Sequence, residues 1–115
     1  MNEVIVNIYN RIMELSDLGL QRKLWLNENN DTGLISSYFE LVNSLFDDFN
    51  FDIFIDNTAA QNGLSNSSIF ELSKLRELLN NYNKMSSNEE IINDPEWKKI
   101  VGQAKIVIKE WNKDC

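Results

Sequence analysis

Residues 94–111 leave the chain little choice but a long amphipathic helix. Asp94 is a good N-cap, and Pro95 falls at the first helical position, where its missing N–H removes no intrahelical bond. Glu96 places an anion in the first turn, where the helix dipole favours one. Trp97, Ile100, Val101, Ala104, Val107, Ile108 and Trp111 then recur at spacings of three and four, which line one face. Lys98, Lys99, Lys105, Lys109 and Lys113 fall mainly on the other faces.

The same period recurs upstream. Val4, Ile5, Ile8, Ile12 and Leu15 predict a helix over 3–16, with Asn2 as its cap and a break at Ser16-Asp17-Leu18-Gly19. A shorter helix is expected over 18–27, carrying Leu20, Leu24 and Trp25, before the polar loop 27–31. Asp31 or Thr32 is then the expected cap of a third helix. Its stripe is Leu34, Ile35, Tyr38, Phe39, Val42, Leu45, Phe46 and Phe49, with Leu41 beside it and only partly buried. Residues 50–56 alternate partly like a strand, but no second strand is available to pair with them. They are read as a short helix capped by Asn50, followed by a loop over 57–67. Ser68-x-x-Glu71 and Ser87-x-x-Glu90 match the capping-box pattern, the former opening a helix and the latter standing ahead of a short turn with Ile91 and Ile92. The helix opened by Ser68 carries Ile69, Leu72, Leu75, Leu79 and Tyr82.

With four glycines and one proline, the chain has few of the breakers that a many-stranded fold needs. The expected fold is all-α, a single compact domain of five to six helices over residues 1–115. The lone cysteine, Cys115, permits no internal disulfide, and no stretch reads as a signal peptide or membrane span. A cytoplasmic location is the corresponding expectation.

The net charge of −7 is concentrated rather than spread. Residues 24–73 hold eight acids, Glu28, Asp31, Glu40, Asp47, Asp48, Asp52, Asp56 and Glu71, and no lysine or arginine. A one-signed block steers oppositely charged partners and repels nucleic acid, whose binding depends on lysine and arginine. A basic protein is the natural complement, and simple solubility is the alternative use of such acidity.

Catalytic chemistry finds few candidates. The chain has no histidine, which excludes Ser-His-Asp and Cys-His catalysis and the usual zinc sites. Asp48, Asn50 and Asp52 have the spacing that opens a calcium loop, but Ile53 and Ala59 stand where glycine and glutamate are required. Gly33, Gly63 and Gly102 belong to no phosphate-binding pattern, and Gly102 is expected to admit a closely packed neighbour. No catalytic residue, metal or cofactor is expected.

Trp25, Trp97 and Trp111 lie on apolar stripes and are expected in the core. Phe49, Phe51 and Phe54 are interleaved with Asp47, Asp48, Asp52 and Asp56, and this pattern has two readings. Aromatic anchors inside an acidic rim suit a basic partner. Alternatively, the phenylalanines pack inward and the aspartates are exposed.

A segment reading TGLISSYFELVNSLFDDFNFDIFIDN and a later NDPEW helix resemble immunity proteins of bacterial toxin systems, in particular those of contact-dependent growth inhibition. The likeness spans roughly residues 15–111 and rests on general texture, without a diagnostic motif. It implies a protein that binds and neutralises the basic nuclease domain of a secreted effector, with an RNase of the EndoU type as the first expectation. No motif assigns individual toxin contacts. The candidate contact set is therefore the acidic and aromatic one, Asp47, Asp48, Phe51, Asp52, Phe54 and Asp56, with Glu40 and Asp31 from the same block. A helical adaptor or oligomeric scaffold, pairing through the stripe that carries Trp97 and Trp111, is the alternative.

Overall fold

The computed structural model describes residues 3–114, which form seven helices and no strand. These are α1 (Glu3–Leu15), α2 (Leu18–Leu26), α3 (38–48), α4 (51–61), α5 (Asn66–Asn81), α6 (Asn88–Asn93) and α7 (Pro95–Lys113). Asn2 and Cys115 lie outside the described residues.

The α7 stripe is the spine of one continuous core. Trp97, Ile100, Val101, Ala104, Val107 and Trp111 are all buried, and α7 packs most extensively on α5 and next on α1. The stripe is thus consumed within the chain, and Trp97 and Trp111 offer a scaffold partner no surface. Trp97 meets Trp25, Tyr38 and Tyr82 at ring distances of 5.3–5.8 Å, and Trp111 meets Tyr9 and Phe54 at 5.1 and 5.6 Å. The two buried indoles near α2 find partners for their N–H groups, as buried tryptophans must. Trp97 Nε1 donates to Gln21 Oε1 at 2.9 Å, and Gln21 Nε2 donates to the carbonyls of Glu14 and Leu15 at the end of α1. Trp25 Nε1 donates to Glu14 Oε2 at 3.0 Å.

Several ends form as the sequence predicts. Ser87 caps α6 and Asp94 caps α7, and Asp94 also accepts a 2.7 Å hydrogen bond from the Tyr82 hydroxyl. Other ends move. Helix α5 begins at Asn66 with Ser65 as its cap, and the predicted cap Ser68 is buried inside it, where it donates to Asp114. Helix α4 extends through the expected loop to Gln61. It closes with bonds from Leu64 N to Ala59 O and from Gly63 N to Ala60 O, with Gly63 at φ +89°. That paired closure places a left-handed glycine just past the helix, and buried Ala59 and Leu64 support it. Asn50 enters α4 with a left-handed backbone and makes no side-chain cap. Val4 is exposed rather than on the buried stripe, and nothing lies within 4 Å of where a Gly102 Cβ would be.

The largest departure is α3. It starts at Tyr38, not at 32, so Leu34 and Ile35 are not helical, and Phe39 points outward. Its second half, Ser44–Asp48, is a π turn, which adds a residue to the turn and shifts the register of the stripe. Leu41 and Leu45 become the fully buried pair, while Val42, Phe46 and Phe49 are only partly covered.

Candidate functional site

The segment 27–37 between α2 and α3 is held by its own polar side chains. Asn30 Oδ1 accepts from both the backbone N–H and the hydroxyl of Thr32, at 3.0 and 2.6 Å. Asn30 Nδ2 donates to Leu34 O at 2.6 Å, and Thr32 Oγ1 accepts from Leu34 N at 3.0 Å. Such local bonds offer the backbone an alternative to helix, which is why α3 does not begin at Asp31 or Thr32. Ser36 N then reaches Leu24 O at 2.9 Å, docking the segment on α2. Ser37 caps α3 through a 3.0 Å bond from Glu40 N.

The result is a cleft of about 290 Å³ between α1, α2, this segment and α3. Its floor includes Glu14, Leu24 and Leu41, and its walls include Arg11, Leu34, Ile35, Glu40, Ser44, Asp48 and Phe49. Glu14 is only 5% exposed. One of its oxygens accepts from Trp25 and, at 2.9 Å, from the Ser36 hydroxyl; the other lies 3.9 Å from Arg11 Nη1. Glu14 therefore ties the floor together. Leu34 and Ile35, by contrast, are 64% and 81% exposed on the rim. Phe39, 65% exposed, borders an adjoining hollow with Lys84 and Met85.

The eight candidate contact residues separate into four groups. Glu40 and Asp48 line the cleft, Asp47 is exposed beside them, and none of the three forms an ion pair among the described residues. Asp52 and Asp56, one turn apart on α4, both clasp Arg76 of α5, at 3.3 and 3.0 Å. Burial opposes the Arg76 charge, but the bonds and charges of Asp56 and then Asp52 outweigh it and raise its pKa. Asp31 sits mid-way along the segment 27–37, 3.7 Å from Lys23. Phe51 and Phe54 are core: Phe51 packs edge-on against Phe46, and Phe54 stacks on Trp111. With 0% and 2% exposure they are removed from the contact surface, and the inward-packing reading of α4 holds.

Three apolar residues near the cleft that face solvent, Leu34, Ile35 and Phe39, belong to the stripe predicted as buried, and Ile53 of α4 is exposed as well. One signal points to the first two. Ser37-x-x-Glu40 is itself a capping-box pattern, and a helix starting there leaves Leu34 and Ile35 outside it.

Among the described residues, no group of three or more His, Cys, Asp or Glu side chains is arranged to hold a metal ion, and no helix is long and apolar enough to cross a membrane. The chain matches no family model, no curated protein and no solved structure.

Proposed function

We propose that this chain is a non-enzymatic protein that binds and neutralises a basic nuclease domain, in the manner of the immunity protein of a contact-dependent toxin system. The observation that carries this reading is the cleft beside α3, where exposed Leu34 and Ile35 stand next to Glu40 and Asp48, carboxylates without an ion pair among the described residues. Large exposed apolar side chains beside exposed carboxylates form an anchor with a steering rim, and the cation in the cleft wall, Arg11, lies against Glu14. A cationic side chain of the partner would lay its aliphatic stem along Leu34 and Ile35 and bring its charge to Glu40 and Asp48. An RNase fits this complement, because an enzyme that grips phosphates presents lysine and arginine at its groove. The acidic block and the likeness to immunity proteins support the same reading.

The test is co-purification of the tagged chain with the product of the adjacent gene, followed by assay of that product's RNase activity with and without the chain. A stoichiometric complex and suppressed RNA cleavage are expected, and both should weaken in Ile35→Asp and in Glu40→Lys. A neighbouring gene product with no basic nuclease domain, or no complex with it, would remove the proposal. Unchanged affinity in both variants would remove the cleft from it.

A further inference from the structure

Helix α5 carries a second exposed apolar surface, on elements that contribute nothing to the cleft beside α3. Phe70 and Leu78 are exposed on it, two turns apart, and with Ser73, Lys74, Glu77 and Gln103 they line an open groove of about 410 Å³. Lys74 lies over the Phe70 ring at 4.7 Å and 3.5 Å from Glu71, while Glu77 forms no ion pair among the described residues. The charges on this face are ordered along the helix, cation first and anion three residues later.

Antiparallel pairing makes that order self-complementary, with Glu71 already held by Lys74 of its own chain. Two copies of α5 laid antiparallel, about a two-fold axis midway between Lys74 and Glu77, set each Lys74 opposite Glu77 of the second copy. Ser73 then faces Leu78 of the second copy, and Phe70 reaches over the same leucine from the neighbouring turn. A parallel alignment in register would set like charges against each other instead. The geometry points to α5 as the face of a two-fold symmetric homodimer, its apolar groove covered by a second copy of this chain and its register set by two Lys74–Glu77 pairs. An isologous contact of this kind uses one patch twice and closes on itself, which leaves the surface beside α3 free in both copies. One helix and its immediate neighbours are less than the roughly 800 Å² per partner of a standard interface, so the dimer belongs to the weak class that dissociates on dilution.

Sedimentation of the purified chain over about 1 µM to 1 mM tests this, a range set by the weak interface class. A reversible monomer–dimer equilibrium is expected. Lys74→Glu and Glu77→Lys should each lower the association constant at least tenfold, because each places two like charges across the axis. The double variant Lys74→Glu/Glu77→Lys restores the opposite-charge pairs and should recover most of the association. Circular dichroism of the single variants separates lost pairing from lost folding. A chain that stays monomeric over the whole range overturns the proposal, and so does a double variant no better than the singles. Neither result bears on the cleft, because the proposed toxin contact uses none of these residues.

Discussion

Gly102 lies mid-way along α7 with open space where a side chain would begin, so the close packing expected of it is absent and the residue only weakens its helix. Gly102→Ala should raise stability by about 1 kcal/mol through helix propensity alone. Chemical denaturation of the variant checks this, and a loss of stability would contradict it. Asp114 behaves in the opposite way. Its carboxylate accepts from the Ser68 hydroxyl at 2.5 Å and from Ser65 N at 3.0 Å, and so pins the end of α7 to the start of α5. The Ser68 bond, then that of the Ser65 backbone, hold its pKa below the ordinary 3.8 against the effect of burial. A native carboxyl that releases its proton more readily than the unfolded one adds stability above the unfolded pKa and loses it as pH falls through the native one. Asp114→Asn should therefore lower stability at neutral pH, because the Ser68 and Ser65 donors lose a charged acceptor. Its deficit should shrink on acidification below the ordinary value of 3.8. Urea melts of both proteins at pH 7 and near pH 3 measure the difference, and a deficit independent of pH would mean that the charge is not what matters.

At the scale of the element, α7 and α6 are legible because each start is written in a cap that nothing competes with. Helix α3 is not, because apolar residues continue at helical spacing across Leu34 and Ile35, where the backbone is bound instead to Asn30 and Thr32. Periodicity cannot see that competition, but the Ser37-x-x-Glu40 spacing can. For the same reason the candidate site was only half legible. Its charges, Glu40, Asp47 and Asp48, follow from counting acids, whereas its apolar anchors depend on where one helix begins. Nor does spacing along the chain reveal that Arg76, from outside the acidic block, folds back onto Asp52 and Asp56. The cap itself can be tested. Ser37→Ala removes the acceptor for Glu40 N and should cost about 1 kcal/mol, the usual value of an N-cap hydroxyl. Amide exchange should show the loss concentrated in the first turn of α3 and in 27–37. Equal loosening of α5 and α7 would argue against Ser37 as the local anchor.

For the molecule as a whole, the acidic block does not act as one surface. Asp52 and Asp56 are spent on Arg76, and the charge of the block that forms no ion pair among the described residues gathers beside α3. At physiological salt the screening length is about 8 Å, so charges remote from a docking face contribute little to steering. This yields a matched pair of variants, each removing two negative charges. Glu40→Gln/Asp48→Asn should slow association with a basic partner at least tenfold at low salt and flatten its dependence on ionic strength, because rim charges act mainly on the on-rate. Asp52→Asn/Asp56→Asn should leave the on-rate within about threefold, since its charges are already paired and lie outside the cleft. It should instead destabilise the fold by loosening α4 from α5. Leu34→Ala/Ile35→Ala should act on neither the on-rate nor its salt dependence, but should shorten the lifetime of the complex, as truncated apolar anchors do. Surface plasmon resonance against the basic domain, at several salt concentrations, separates these effects in one experiment. If the two acid-to-amide pairs slow association equally, net charge is the operative quantity and the cleft beside α3 has no special claim on the partner.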